Sequence, residues 1–256
     1  MIDTRLTSPW LLNFIPRPDV RVRVFCFHYA GGNANVFRGW DNASPEEMQI
    51  VPIELPGHGS RLGEPLLDSV SDIVREIAQG IAGYLDKPFV FFGHSMGALI
   101  SFELTRFLRR YFLPQPVHLF VSAHAAPHVS KDREHIHRLP EDEFTQKLRT
   151  LNGTPDAVLT NPELRELFLP IIRNDFKVCE TFAFKPGLPL ECPITVYGGI
   201  NDTDVQQEDL AAWEQHTTAG IQLRQFDGDH FFLHSHEKEV LQTLVKDLSS
   251  LLDNHF

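Results

Sequence analysis

The hydrophobic pattern along this chain switches repeatedly between two periods. Val20 to Phe27 (VRVRVFCF) alternates and then turns fully apolar, as a strand entering a buried sheet does. Ile50–Glu54, Phe89–Gly93, Val117–Ala123, Ile194–Gly198 and Ile221–Phe226 are further short apolar runs and predict strands. Between them the spacing is helical. In Ser69–Leu85 the residues Ile73, Ile77, Ile81 and Leu85 recur at every fourth position. Met96–Phe112, Glu208–His216 and Glu237–Leu252 also read as helices. Strands that alternate with helices of this length need crossover connections, so the pattern predicts an α/β fold with a mostly parallel sheet flanked by helices.

One stretch breaks the rhythm. From Ala123 to Ile194 no good strand appears. Pro140–Leu151 reads as a helix with Pro at its start and Asn152-Gly153 as its stop. Asn161-Pro162 opens another, whose apolar residues Leu164, Leu167, Phe168, Ile171, Ile172 and Phe176 fall at helical spacing. The expectation is one domain over residues 1–256 with a helical lid inserted at approximately 125–190.

Composition narrows the function classes. The chain has 256 residues, with Lys+Arg 23 against Asp+Glu 34, for a net charge of −11. Such an acidic balance argues against coating nucleic acid, which rests on Lys and Arg neutralising phosphates. It argues equally against an anionic membrane surface. The start, Met1-Ile2-Asp3-Thr4-Arg5, lacks the basic and apolar runs of a signal peptide, and no stretch approaches a membrane span. The expected location is the cytoplasm. Cys26, Cys179 and Cys192 match no metal motif and form no disulfide framework, so they read as buried thiols in a reducing compartment. Phe accounts for 20 residues, which favours a bulky apolar interior or pocket.

The chemistry centres on Gly93-His94-Ser95-Met96-Gly97, which follows the apolar run Pro88–Phe92 and precedes a helical pattern. Gly-x-Ser-x-Gly between strand and helix is a nucleophile elbow: the turn is so tight that flanking positions must be small. It lifts the serine hydroxyl above the sheet edge at a helix N-terminus. A serine nucleophile needs a base, and the base needs an orienting acid. On such a scaffold the chain order is Ser, acid, His. Asp202 lies just past the strand Ile194–Gly198, and His230 just past Ile221–Phe226. Sites in open α/β sheets form at these carboxyl ends of strands. Asp204 competes with Asp202, while Asp229 reads as a loop carboxylate and His94 as a packing or hydrogen-bonding residue. His118, His124 and His128 read as core or surface residues. The oxyanion hole needs two backbone N–H groups. Met96, next to the nucleophile, supplies one. Ala30, in the loop His28-Tyr29-Ala30-Gly31-Gly32 after the first strand, supplies the other.

With these residues in place, the chain resembles the type II thioesterases, free-standing hydrolases that accompany nonribosomal peptide and polyketide synthetases. The resemblance runs almost end to end. It rests on Phe27 to Gly32 with Phe37 and Trp40, on Leu55-Pro56-Gly57-His58-Gly59-Ser60-Arg61 and on the elbow. It continues through Asp202 with Val205 and Leu210 to Trp213, and through Gly228-Asp229-His230-Phe231-Phe232-Leu233. Two departures stand out: Asp229 where the family usually has Gly, and Thr203 where Pro often follows the acid.

The resemblance implies an α/β-hydrolase fold with a helical lid. It implies hydrolysis of acyl thioesters on the phosphopantetheine arm of an acyl or peptidyl carrier protein, clearing misprimed or stalled groups. Ser95, Asp202 and His230 match the family's triad, and Ala30 and Met96 its oxyanion donors. No cofactor or metal is expected, because the pantetheine arm belongs to the substrate. The expected partner is the carrier protein, with no nucleic acid and no membrane, and the expected state is a monomer. Two rivals remain: a serine esterase acting on small oxygen esters on the same fold, and an inactive hydrolase-fold binding module. An acidic carrier meeting an acidic chain needs a local basic patch. Arg106, Arg109 and Arg110 on one helix, and Lys131, Arg133 and Arg138 near the lid, are the candidates.

Overall fold

Strands form where the sequence is apolar on both faces, because a parallel sheet is covered by helices on both sides. In a computed structural model, which describes residues 8–129 and 134–255, five runs of this kind and one alternating run at the sheet edge become strands. They are β1 (Val22–Phe27), β2 (Met48–Pro52), β3 (Phe89–His94), β4 (His118–Ser122), β5 (Ile194–Gly199) and β6 (Ile221–Phe226). They pair in the order β2-β1-β3-β4-β5-β6, and every pairing is parallel. Every residue of β1, β3, β4 and β5 is buried, whereas the edge strand β6 is mostly open.

The helices cover two faces. Helix α1 (Val70–Ile81) is capped by Ser69, whose hydroxyl accepts the Asp72 N–H at 3.2 Å. It buries Val70, Ile73, Val74, Ile77, Ala78 and Ile81 on one stripe. It packs beside α2 (Met96–Arg110) over Phe25, Phe27 and Phe91. The opposite face holds Val24, Trp40, Phe92, Phe120 and Tyr197 under the C-terminal helix. Much of the phenylalanine excess is spent in these two layers.

The segment between β4 and β5 is helical, with α3 (Glu141–Leu151), α4 (Asp156–Thr160) and α5 (Pro162–Glu180). Asn161 caps α5 through the N–H groups of Glu163 and Leu164. These helices share a small core of their own: Ile136, Phe144, Leu148, Leu159, Leu169 and Ile172. Of the apolar residues expected on α5, Ile171 and Ile172 are buried while Leu167 is exposed. The chain closes with α6 (Gln207–Ala211), α7 (Phe232–Ser235) and α8 (Glu237–His255). Among the described residues, no helix is long and apolar enough to cross a membrane. Burial pushes the thiols of Cys26, Cys179 and Cys192 up, that of Cys192 to about 11.

Candidate active site

Ser95 sits between β3 and α2 with φ 54° and ψ −116°, a left-handed conformation costly for a residue with a side chain. The surroundings hold it there. Its N–H donates to the Ser122 carbonyl at 2.8 Å, and its carbonyl accepts the Ala98 N–H at 2.9 Å. The flanking glycines are there because two backbones cross. A Cβ on Gly93 would lie 2.1 Å from the Gly97 oxygen, and one on Gly97 would lie 2.1 Å from the Phe27 oxygen. The motif is therefore a packing requirement that presents the hydroxyl.

His230 and Asp202 arrive from the ends of β6 and β5. His230 Nε2 stands 3.0 Å from Ser95 Oγ, and His230 Nδ1 stands 2.8 Å from Asp202 Oδ2. Asp202 Oδ1 accepts the N–H groups of Asp204 at 2.8 Å and Val205 at 3.1 Å. Burial by itself would raise the Asp202 pKa. The hydrogen bond and charge of His230, with those two N–H groups, outweigh it and hold the carboxyl below its ordinary value. Asp204 contributes its backbone N–H to Asp202. Asp229 turns away from the imidazole: it caps the Phe231 N–H at 2.8 Å and faces Asn152 Nδ2 at 3.4 Å.

His94 is fully buried behind the elbow. Its Nε2–H donates to the His230 carbonyl at 2.9 Å, so its Nδ1 accepts from Ser122 Oγ at 2.8 Å. Burial, reinforced by the nearby charge of His230, pushes its pKa well below the ordinary value, and it stays neutral.

The Met96 N–H lies in the first turn of α2, where N–H groups have no intrahelical acceptor. Ala30 lies in the loop after β1. Among the described residues neither N–H is bonded to another backbone group. The loop is fixed around Ala30. The Gly32 N–H donates to the Tyr29 carbonyl at 2.9 Å, and the Gly31 N–H donates to Asp175 Oδ2 at 2.7 Å. The Tyr29 hydroxyl meets His234 Nε2 at 2.8 Å, and its ring packs on Phe231 with centroids 5.1 Å apart.

Two residues of this neighbourhood have no role assigned by the sequence patterns: Asp175 on α5, and His58 in the loop after β2, which appears there only as a member of the Leu55–Arg61 motif; they are joined at 2.9 Å. The signals for them are the Leu55–Arg61 motif that contains His58 and, for Asp175, a carboxylate on the apolar stripe of α5, between Ile171 and Val178. The inserted helices also touch the histidine loop, where Gly153 packs so closely on Phe231 that a Cβ would lie 2.1 Å from the ring.

Among the described residues, two groups bring three metal-ligating side chains together. One is Asp202, Asp204 and His230 itself. The other is His135, His137 and Glu180, where the Glu180 carboxylate accepts the Ile136 and His137 N–H groups and the His137 ring. Two basic residues of α2, Arg106 and Arg109, are committed internally. Arg106 pairs with Glu103 and bonds the Lys185 carbonyl, and Arg109 clamps the Leu188 and Pro189 carbonyls. Arg110 and Arg138 remain exposed, while Lys131 and Arg133 lie outside the described residues.

A sequence model described as a thioesterase domain matches residues 22–248. The chain is 42% identical over 248 residues to linear gramicidin dehydrogenase LgrE of Brevibacillus parabrevis, covering 96% of this chain and 94% of that protein. It is 41% identical over 245 residues to the gramicidin S biosynthesis protein GrsT of Aneurinibacillus migulanus, covering 96% of each. The fold superposes on the type II thioesterase BorB from the borrelidin biosynthetic cluster with a TM-score of 0.84 and 30% identity. That match covers 93% of this chain and 96% of BorB.

Proposed function

This chain belongs to the thioesterase family, and we propose that it is a type II thioesterase. In this reading it hydrolyses acyl thioesters on the phosphopantetheine arm of a carrier protein in nonribosomal peptide or polyketide synthesis. Its task there is to clear misprimed or stalled acyl groups. The observation that carries the chemistry is the continuous chain from Ser95 Oγ through His230 to Asp202, with contacts of 3.0 and 2.8 Å.

In the proposed mechanism the Asp202 carboxylate accepts the His230 Nδ1–H, which leaves the Nε2 lone pair toward Ser95. Ser95 Oγ attacks the thioester carbonyl while His230 takes its proton. The Ala30 and Met96 N–H groups receive the developing oxyanion. The C–S bond breaks, and His230 returns the proton to the leaving pantetheine sulfur. A water, deprotonated by His230, then cleaves the acyl-Ser95 ester. The acid leaves and the hydroxyl is restored.

Helices α3 to α5 act as a lid. Supporting that role are their contacts with both catalytic loops, at Gly31 through Asp175 and at Phe231 through Gly153. With Arg106 and Arg109 committed to the 185–189 segment, Arg110 and Arg138 are the described candidates left for docking an acidic carrier.

The test compares an acyl-phosphopantetheinyl carrier protein with a small oxygen ester of the same acyl group. The proposal expects a kcat/KM higher on the carrier substrate by at least about tenfold. Equal or better turnover of the free ester would move the assignment to a small-ester hydrolase.

A further inference from the structure

Helix α5 carries a carboxylate where its apolar stripe should be unbroken. Ile171, Ile172, Asp175 and Val178 are all buried, and Asp175 is 1% exposed. A carboxylate in such a place is costly unless it is paired and hydrogen-bonded. Both conditions hold. Asp175 Oδ2 accepts the Gly31 N–H at 2.7 Å and lies 2.9 Å from His58 Nε2. On the other side of the ring, His58 Nδ1 lies 2.9 Å from the Pro56 carbonyl.

This geometry fixes the charge of His58. A neutral imidazole has one N–H and one lone pair. Here the Pro56 carbonyl can only accept, so Nδ1 carries a proton, and opposite the Asp175 carboxylate Nε2 carries a second, which makes His58 an imidazolium in a buried ion pair. Burial disfavours that charge, but Asp175, the Pro56 carbonyl and Glu54 outweigh it and hold the His58 pKa above its ordinary value. His28, with its ring 5.0 Å away, does not compete. Its Nδ1–H donates to the Tyr29 carbonyl, and burial with the neighbouring His58 pushes its pKa down to about 4.

The bond from Gly31 reaches the oxyanion loop directly. The Gly31 N–H belongs to the peptide plane that begins at the Ala30 carbonyl, so holding that plane fixes one of the two soft dihedrals of Ala30. We propose that the His58–Asp175 ion pair is a latch that makes the shape of the oxyanion loop conditional on the seating of α5. In this role Asp175 is a positioning residue for the Ala30 N–H. The inference rests on the reading of Ala30 as an oxyanion donor. Its consequence is that attack on the thioester is efficient only with the inserted helices seated, so that lid closure and hydrolysis are coupled through one hydrogen bond.

The experiment uses the full chain with Asp175→Asn, His58→Gln and the double substitution. Three quantities are read: kcat, KM, and affinity for a trifluoromethyl ketone analogue of the acyl group. The ketone carbon bonds to Ser95 Oγ, its carbonyl oxygen becomes an oxyanion in the hole, and the serine proton passes to His230. Asp175→Asn is expected to lower kcat by about tenfold to a hundredfold, with KM changed less than about threefold. Ketone affinity should fall in parallel, and the double variant should be no slower than the worse single one. Wild-type kcat and ketone affinity would overturn the latch. So would a lower kcat with unchanged ketone affinity, or additive effects in the double variant. If Asp175→Asn does not fold, His58→Gln carries the test by the same parallel loss, and wild-type values there overturn it. Ser95→Ala run alongside separates the two levels. Full activity in it would remove the proposed function itself. An inactive Ser95→Ala beside an unaffected Asp175→Asn would remove only the latch.

Discussion

The His94 side chain donates a hydrogen bond to the backbone carbonyl of His230 at 2.9 Å. The residue that precedes the candidate nucleophile thus holds the main chain of the candidate base. His94→Ala leaves that carbonyl and Ser122 Oγ without their partner and opens a cavity behind the elbow. The expected cost is about 2–4 kcal/mol of stability. Because the His230 loop loses its anchor, kcat should also fall by about tenfold or more. Denaturant unfolding and steady-state kinetics on the same preparation check both.

Asp202 and Asp204 are separated by their geometry. Asp202 Oδ2 lies 2.8 Å from His230 Nδ1, and Asp202 accepts the Asp204 N–H through its other oxygen. Asp202→Asn is expected to lower kcat by about three to four orders of magnitude. Asp204→Asn should stay within about threefold of wild type, since its backbone N–H is retained. The reverse ranking would reassign the acid.

The inserted helices reach the histidine loop through Gly153 and Phe231. A Cβ at Gly153 would lie 2.1 Å from a ring that packs on Tyr29, His94 and His230. Gly153→Ala should displace the ring and lower kcat by about tenfold. In a Phe231→Ala background the same methyl has nothing to strike. The double variant should therefore be no slower than Phe231→Ala alone, which a double-mutant cycle reads directly.

Acid sensitivity follows from buried histidines. Burial pushes the His118 pKa from 6.5 to about 4, against a weaker opposing pull from Asp247. Below pH 6.5 the unfolded chain takes up a proton there that the folded chain refuses until about pH 4. Stability is therefore lost as the pH falls through that window. At pH 5 this one residue costs about 2 kcal/mol relative to pH 7. His28 adds a loss of the same sign. His58 runs the other way: its raised pKa stabilises the fold below the unfolded value, and that gain is lost as the pH rises through the folded value. His118→Gln should shrink the loss of unfolding free energy between pH 7 and pH 5 by about 2 kcal/mol. An unchanged loss would contradict the burial of a neutral imidazole.

The sheet was legible in the sequence because buried parallel strands are short apolar runs; each of the six expected runs overlaps a strand. Their ends were less so. β1 starts at Val22 rather than Val20, and β2 starts at Met48 rather than Ile50, because pairing, not hydrophobicity, sets where a strand begins. α4 and α7 are too short to display a helical period. The elbow and the two loop residues behind it could be read because their spacing is local and sterically dictated. The pairing of His58, seen only as part of the Leu55–Arg61 motif, with Asp175 could not, since the two lie far apart in the chain and meet only when α5 packs on the loop after β1. Arg106 and Arg109 looked like a basic docking face. In the fold they satisfy carbonyls of the segment leading into β5, a use that no local pattern announces.

The most direct test of the central claim is hydrolysis of an acyl-phosphopantetheinyl carrier protein by the wild-type chain and by Ser95→Ala. Loss of the Oγ that lies 3.0 Å from His230 Nε2 is expected to reduce turnover by at least about three orders of magnitude while the fold persists. Near wild-type release of the acyl group by Ser95→Ala would remove Ser95 as the nucleophile and, with it, the serine-hydrolase chemistry.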